Sequence, residues 1–256
     1  MFKSAFLALA ILIISVAAAM AVVDIPYVRQ KPNMCGAACL SMVYKSFGED
    51  YTQGEIFEFT ATPCIVDGKN KPTNPIYKMA QDPINRGYHA IAMQAKDPMI
   101  FFQLFSTIKD RVRVIVSMVP GVGVHGSHLM LLIDATDKDL VFHDPDKCPS
   151  YHLTREKFIK KWASCSLVAI SKDALKTYNC SVCGLSIPEN VICPQCGKSI
   201  PLEPKEVLGC VHDECSGKIW KLLFCPYCSA NINGIQDGKA KSPYRKKKIK
   251  KKEILA

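Results

Sequence analysis

Hydrophobic residues in the first 110 positions recur at the three- to four-residue spacing of amphipathic helices. After a Pro-Asn turn, one such series contains Leu40, Val43, Tyr44 and Phe47. This spacing predicts a buried helix from about Met34 to a stop at Gly48. Capping or proline signals at 52–55, 74–75 and 97–98 predict three further helices.

The spacing changes after residue 110 to one that favours strands. Short apolar runs at 112–118, 128–133 and 140–143 are separated by Gly-rich or Asp-rich turns, which is typical of an antiparallel sheet. A helix at 154–162 and a closing strand at 167–170 follow. Helices that precede an antiparallel sheet predict an α+β domain of about 150 residues, which is large enough to bury roughly two-thirds of its chain surface.

The N-terminal residues differ from the rest of the chain. An uncharged run rich in Ala, Leu and Ile extends from Ala5 to Val23 and contains the triplet Ala-Met-Ala at 19–21. This layout predicts a signal peptide at 1–21 and export to the periplasm or the extracellular space. The run is also long enough to span a bilayer, so an uncleaved anchor that keeps the protein on the membrane is the alternative.

The 256 residues carry a formal net charge of +10, which is unevenly distributed. Residues 241–256 alone contribute a net charge of +7. We expect residues 238–256 to be a disordered basic tail that could attract an anionic surface or polymer, and no specific nucleic-acid motif accompanies it. The hydrophobic content of 48% excludes a chain that is disordered or fibrous throughout.

Eight of the 13 cysteines form two units of four in the segment 178–232. The first unit is Cys180, Cys183, Cys193 and Cys196, and the second is Cys210, Cys215, Cys225 and Cys228. The segment resembles a double zinc ribbon, and each unit predicts one tetrahedral zinc site that is structural because four thiolates leave no open position. The ribbons could also contact a protein partner. A disulfide framework, which an exported chain would permit, is the alternative.

Cys35 is the leading candidate for a nucleophile. It lies in the first turn of the first predicted helix, where free N–H groups and the helix dipole stabilise a thiolate. Its position alone would favour a buried structural cysteine over a nucleophile. His128 begins one predicted strand and Asp144 ends the next, and adjacent antiparallel strands can bring two such residues together. The three side chains predict nucleophilic acyl chemistry.

Other histidines and cysteines compete for these roles. His125 is near enough in sequence to serve as the base, although it follows a glycine-rich stretch that would hold it less rigidly. His143 should face the opposite side of its strand from the neighbouring aspartate and be structural or exposed. Cys39 lies one helical turn after the candidate nucleophile and is expected in the core. The remaining cysteines carry no readable signal: Cys64, Cys148 and Cys165.

The residues around these candidates resemble the bacteriocin-processing (double-glycine leader) peptidases, a family of papain-like cysteine peptidases. The resemblance rests on the segment QKPNMCGAA at 30–38, on His128 at the head of an apolar strand and on Asp144-Pro145. It implies a papain-like fold of N-terminal helices and an antiparallel sheet. It also implies an oxyanion hole that includes Gln30, and a catalytic triad of Cys35, His128 and Asp144.

The sequence therefore predicts a thiol-dependent peptidase with a peptide or protein substrate. The predicted segments are a signal peptide or anchor at 1–21, a peptidase-like domain at 24–171, a double zinc ribbon with two structural zinc ions at 178–232 and a basic tail at 238–256. Two alternatives stay open. One is an amidase or transpeptidase on the same fold, because the triad does not define the leaving group. The other is a non-enzymatic zinc-ribbon binding protein whose first domain is a scaffold.

Overall fold

The computed structural model describes residues 24–66, 69–119, 128–175, 177–236 and 239–242. Among these residues, no helix is both long enough and apolar enough to cross a bilayer. The signal peptide or anchor predicted at 1–21 lies outside the described ranges, as does most of the predicted basic tail. Export, anchoring and attraction to an anionic surface therefore stay predictions.

Within the described ranges, most helices precede residue 110 and most strands follow it. The helices are α1 (Cys35–Ser46), α2 (Gln53–Thr60), α3 (Ile76–Asn85), α4 (Pro98–Ile108) and α5 (Arg155–Ile159). The strands up to residue 171 are β1 (Thr62–Val66), β2 (Lys69–Thr73), β3 (His89–Ala95), β4 (Val112–Met118), β5 (His128–Ala135), β6 (Asp139–His143), β7 (Tyr151–Thr154) and β8 (Trp162–Ser171). The cysteine-rich segment adds β9 (Asn190–Ile192), β10 (Ser199–Pro201), a 3₁₀ helix (Lys205–Leu208), β11 (Trp220–Phe224), β12 (Asn231–Ile232), β13 (Gly234–Gln236) and β14 (Lys239–Lys241).

An eight-stranded sheet forms the centre of the fold. Its strand order is β12-β11-β3-β8-β4-β5-β6-β7, and every neighbouring pair is antiparallel. Successive side chains of a strand face opposite sides of a sheet. In β3, Ala90 and Ala92 pack with the core around α1, α2 and α3, whereas Ile91 and Met93 pack with the core around α4. The sheet is therefore covered on both faces, and the predicted α+β class is confirmed.

Local sequence signals explain where the early helices begin. The capping box of α2 is complete: the Thr52 side chain accepts from the Glu55 N–H, and the Glu55 carboxylate accepts from the Thr52 N–H. At the start of α4, the Asp97 carboxylate accepts from the N–H groups of Met99 and Ile100. Each cap satisfies N–H groups that have no partner within the helix. The four early helices are thus confirmed close to their predicted positions.

Some elements differ from the sequence prediction. The β1–β2 hairpin, β3 and β7 are not predicted. Strand β3 lacks the alternation of apolar and polar residues that indicates a strand. Most of its side chains are buried, whichever face of the sheet they lie on. The helix predicted to reach Trp162 ends at Ile159, and the prediction is wrong there because Trp162 already pairs with Met118 as the first residue of β8.

The cysteine-rich segment joins the central sheet. Strand β11 pairs antiparallel with β3, and the Lys96 N–H extends this pairing by donating to the Ile219 carbonyl at 2.8 Å. Trp220 in β11 is 1% exposed. Apolar residues of the segment share one core with α4: Val191, Ile200, Leu202, Val207, Leu208 and Leu223. The segment therefore stabilises the sheet as well as itself.

Strand β14 lies inside the range 238–256 that the sequence predicts to be disordered. It pairs with β13 and meets β9, and the Ala240 side chain is 8% exposed. The prediction is wrong for residues 239–241, because a charged run can form a strand when its one apolar side chain faces a core and a sheet edge is available for pairing.

Helix α1 approaches β5 and α3 very closely at Gly36. A Cβ atom at this position would lie 2.8 Å from Met79 Sδ and 2.9 Å from Leu129 Cδ1. Real Cβ atoms essentially never come within 3.0 Å of another heavy atom, so a larger residue here would force its neighbours to move. Because Gly36 follows Cys35 and Leu129 follows His128, this contact brings the first residues of α1 and β5 together.

Substituting Gly36 with Ala should separate α1 from β5. Overpacking of this kind costs about 1–3 kcal/mol, and urea denaturation should show that loss in the free energy of unfolding. Gly54→Ala is the matched control, because its Cβ would meet only Thr52 Oγ1 at 3.9 Å and Ala is favoured in a helix. Equal effects of the two substitutions would contradict the close-approach explanation.

Candidate active site and cysteine clusters

Cys35 is the first residue of α1 and is partly buried. The turn before it is closed by a hydrogen bond from the Met34 N–H to the Lys31 carbonyl at 3.0 Å, with Asn33 at φ 62° in the left-handed region. Asparagine tolerates this conformation better than most residues. The N–H groups of the first turn have no partner within the helix. The positive end of the α1 dipole therefore lies at Cys35.

His128 and Asp144 meet at one end of neighbouring strands. His128 is the first residue of β5, and Asp144 directly follows β6, its antiparallel neighbour. His128 Nε2 lies 2.7 Å from Asp144 Oδ1, so the predicted proximity of these two side chains is confirmed. Cys35 acts on the same imidazole and raises its pKa. Because Nε2 faces Asp144, Nδ1 is the ring nitrogen left for an interaction with Cys35.

The surroundings of His128 favour its protonated form. Burial alone would lower the pKa of the imidazole, but hydrogen bonds and charge interactions with Asp144 and Cys35 raise it to about 9. Burial would likewise raise the pKa of the Asp144 carboxyl. The hydrogen bond and charge of His128, assisted by the Asp146 N–H, outweigh that effect and hold it below its usual value. At neutral pH an imidazolium thus lies between the carboxylate and the Cys35 sulfur.

Gln30 contacts the loop that follows β6. Its backbone N–H donates to the Pro145 carbonyl at 2.9 Å, and its side-chain Nε2 donates to Asp146 Oδ1 at 3.3 Å. The Gln30 Oε1 atom is buried and has no hydrogen-bond partner among the described residues. The structure therefore brings the fourth predicted site residue next to the loop that carries Asp144.

Two residues that the sequence does not single out fix the position of Asp144. Tyr27 Oη donates to the Asp144 backbone carbonyl at 3.0 Å. The Asp146 N–H donates to Asp144 Oδ1 at 3.0 Å, the oxygen that also binds His128. The Asp-Pro-Asp sequence is typical of an Asx turn and could have indicated the second contact. No local signal points to Tyr27, which is 117 positions from Asp144.

The competing residues have other places in the fold. His143 is buried and structural, as predicted: Nε2 donates to the Ile25 carbonyl at 2.8 Å, and Nδ1 accepts from the Ser150 N–H at 3.2 Å. Cys39 is fully buried, and burial raises the pKa of its thiol, which confirms its predicted core position. His125 lies outside the described residues. The other three cysteines of this part are free thiols: Cys64, Cys148 and Cys165.

The eight cysteines of the C-terminal segment form two groups of four thiols. Group 1 is Cys180, Cys183, Cys210 and Cys215, and group 2 is Cys193, Cys196, Cys225 and Cys228. Each group combines one cysteine pair from each half of the segment. The prediction that four consecutive cysteines form one site is wrong. Each cysteine pair occupies one turn; the first and third turns supply group 1, and the second and fourth supply group 2.

The geometry of both groups fits a tetrahedral metal ion. Four Sγ–Sγ distances lie between 3.6 and 3.8 Å. Thiolates about 2.3 Å from a central zinc would be about 3.8 Å apart, whereas disulfide sulfurs are about 2.05 Å apart. In group 1, backbone N–H groups also donate to the sulfurs, which favours thiolates: Val182 to Cys180 at 3.4 Å, His212 to Cys210 at 3.4 Å and Gly217 to Cys215 at 3.3 Å. The two groups could therefore each hold a metal ion.

The fold, with helices on an antiparallel sheet and a cysteine at the start of α1, is that of a papain-like cysteine peptidase. Residues 22–170 match the model of the Peptidase_C39 like family. The match covers more than half of the chain, and the chain belongs to this family. It is accordingly a cysteine peptidase, as the sequence predicts, and the alternative of a non-enzymatic scaffold has no support.

Several solved structures are similar to this chain. The peptidase domain of Streptococcus ComA, a bifunctional ABC transporter involved in a quorum sensing pathway, is 19% identical with a TM-score of 0.47, and the match covers 59% of this chain and 100% of that one. A putative C39-like peptidase from Bacillus anthracis is 14% identical with a TM-score of 0.49, covering 59% and 96%. The peptidase domain of Streptococcus mutans ComA is 16% identical with a TM-score of 0.41, covering 57% and 98%. No curated protein matches significantly.

Substituting Asp144 with Asn should lower the pKa of His128. In the unsubstituted protein the pKa of His128 is raised from 6.5 to about 9. Protonated His128 therefore contributes fully to the free energy of unfolding below about pH 6.5, and this contribution is lost as the pH rises through about 9. Without the carboxylate, the pKa should move back toward its ordinary value and this loss of stability should shrink. NMR titration of the His128 ring, with urea denaturation across the same pH range, measures both. A His128 pKa that stayed near 9 in the variant would exclude Asp144 as its cause.

Proposed function

We propose that this chain hydrolyses peptide bonds with Cys35 as the nucleophile, His128 as the proton carrier and Asp144 as the group that orients the imidazole. The observation that carries this proposal is the pairing of His128 with Asp144 at 2.7 Å, at the end of β5 that the packing of Gly36 against Leu129 brings to Cys35. A nucleophile, a base and an orienting group in series are what thiol-based acyl transfer requires. Membership of the C39-like family supports the same reaction.

In the first half of the reaction, the Cys35 thiolate attacks the substrate carbonyl carbon and forms a C–S bond. The carbonyl oxygen becomes an oxyanion, which the Cys35 backbone N–H and Gln30 Nε2 stabilise. A primary amide has two N–H hydrogens, and since Asp146 accepts only one of them, the other is available to the oxyanion. The C–N bond then breaks as the His128 imidazolium gives its proton to the leaving amine, and a thioester remains on Cys35.

In the second half, neutral His128 accepts a proton from water while the water oxygen attacks the thioester carbonyl. The C–S bond breaks, the carboxylic acid product leaves, and the thiolate and imidazolium are restored. Asp144 stays ionised throughout, because its pKa is held low. Its carboxylate keeps the ring in the orientation that leaves Nδ1 facing the sulfur.

The same thioester would form in an amidase or a transpeptidase, which differ in the leaving group or in the acceptor. Family membership favours a peptide substrate and water as the acceptor. Cleavage in water labelled with oxygen-18 separates hydrolysis from transfer, because hydrolysis puts the label into the new carboxyl group, and identifying the released amine separates a peptidase from an amidase. Transfer to an added amine would yield an unlabelled amide.

Hydrolysis of a library of fluorogenic peptides tests the roles of the Cys35 thiol and the Gln30 side chain separately. The library includes peptides with Gly-Gly before the scissile bond. Cys35→Ala should abolish hydrolysis, because no thioester can form. Gln30→Ala should lower kcat by about 10²- to 10³-fold, the usual loss for one oxyanion donor. Cys148→Ala removes an exposed thiol and should retain full activity. Hydrolysis by purified Cys35→Ala at the original rate would contradict the assignment.

We further propose that each four-thiol group holds one structural zinc ion. The sulfur distances support a metal in both groups, and the N–H donors support thiolates in group 1. Bound zinc would supply a rigid tetrahedral link between the paired turns. Strand β11 is attached to both groups: Trp220 Nε1 donates to the carbonyl of Cys210 at 2.8 Å, and Cys225 directly follows the strand. The ions thus hold β11 against β3 and stabilise the peptidase fold without taking part in its chemistry.

Removing the metal should therefore lower the Tm of the whole chain, including the part that contains Cys35. Structural zinc is typically worth about 10–16 kcal/mol per site, and the cysteine-rich segment shares its core with α4. Native mass spectrometry should find two zinc ions per chain, and calorimetry after chelation should show a lower Tm that added zinc restores. A metal-free, fully oxidised protein with an unchanged Tm would contradict this role.

A further inference from the structure

Gln53, the first residue of α2, is a buried polar residue whose amide binds the backbone on both sides of Gln30. Its Oε1 accepts from the Lys31 N–H at 2.9 Å, and its Nε2 donates to the Arg29 carbonyl at 2.8 Å. The residue is 8% exposed. One side chain therefore satisfies a donor and an acceptor of the segment that carries the oxyanion-hole candidate.

The helix that holds Gln53 is itself firmly placed. Its N-terminus is fixed by the capping box of Thr52 and Glu55. Just before it, the Tyr51 carbonyl accepts from Ser41 Oγ at 2.8 Å, which ties the start of α2 to α1. Since Cys35 begins α1, the Gln53 amide is positioned relative to the nucleophile.

The opposite side of Gln30 is fixed by the loop after β6, where its N–H donates to the Pro145 carbonyl at 2.9 Å. Three consecutive residues, Arg29, Gln30 and Lys31, are therefore held by hydrogen bonds to two different parts of the fold. A side chain that stabilises an oxyanion must be held within about 0.5 Å of its working position. A fixed backbone is the first requirement for that accuracy.

We infer that Gln53 is a positioning residue for Gln30: its bidentate amide contact fixes the backbone from which Gln30 reaches the oxyanion. This inference rests on the proposed role of Gln30. Gln53 contacts neither the imidazole nor the sulfur in any hydrogen bond of the described residues. Its loss should consequently weaken oxyanion stabilisation and leave the Cys35–His128 pair intact.

The test compares Gln53→Met, which keeps the side-chain length but cannot make the bidentate contact, with the unsubstituted chain. Hydrolysis of the peptide identified with the fluorogenic library should lose about 10- to 100-fold in kcat, below the loss expected for a missing donor, with KM changed less than about threefold. Affinity for a peptide aldehyde, whose thiol adduct carries the same oxyanion, should fall by a similar factor. Alkylation of Cys35 by iodoacetamide should keep its rate, because it needs no oxyanion hole.

Asp97→Ala is the matched control, because it removes the cap of a different helix, α4, and leaves every hydrogen bond of Gln53. It should lower Tm and retain kcat. The double variant Gln30→Ala/Gln53→Met should be no slower than Gln30→Ala, since residues that act through one group are non-additive. If Gln53→Met is unfolded at the assay temperature, Gln53→Glu replaces it, because it keeps the acceptor for Lys31 and loses the donor to Arg29.

An unchanged kcat in Gln53→Met, a slower alkylation of Cys35, or additive losses in the double variant would each overturn the inference. An equal loss of kcat in Asp97→Ala would also overturn it, because a general loss of stability would then explain the effect. A Gln30→Ala variant with full kcat would instead refute the proposed oxyanion role of Gln30. The two failures are therefore distinguishable.

Discussion

The contact between Gly36 and Leu129 is the constraint on which the candidate site depends. Cys35 and His128 come from distant parts of the sequence, and each is the immediate neighbour of one contact residue. Most of α1 is buried, so the helix cannot slide along the sheet without opening its core. A side chain as small as a methyl group at Gly36 would act directly on the distance between sulfur and imidazole. The packing of α1 against β5 is therefore what brings the two reactive groups to the same place.

The second constraint is the network around Asp144, which is 1% exposed. Its Oδ1 receives hydrogen bonds from His128 and from the Asp146 N–H, and its backbone carbonyl receives one from Tyr27. A buried carboxylate is stable only when it is paired and hydrogen-bonded. The residues that stabilise this charge also hold the loop against the segment containing Gln30. The cost of burying one charge is thereby offset by interactions that order two parts of the site.

The sequence predicts what is encoded locally. Helices α1 and α4 follow from apolar spacing and proline signals, and α2 from its capping box, because these effects act within a few residues. The candidate residues Cys35, His128 and Asp144 follow from their places at the ends of such elements. The Tyr27 contact and the β3–β11 pairing depend on residues far apart in sequence, for which no local signal exists. The grouping of the cysteines was missed for the same reason, since spacing identifies ligand pairs but not which pairs face each other.

The pairing of β3 with β11 also governs how the chain can be divided. The family match ends at residue 170, yet β3 would then lose one of its two neighbours and become an edge strand. Unpaired N–H and C=O groups along an edge are templates for association with another chain, and the apolar Ile91 and Met93 would lie beside them. In the intact chain the strand at this end of the sheet is β12, only two residues long, which offers little to pair with. A fragment cut at the family boundary would therefore expose a long apolar edge that the C-terminal segment covers in the intact chain.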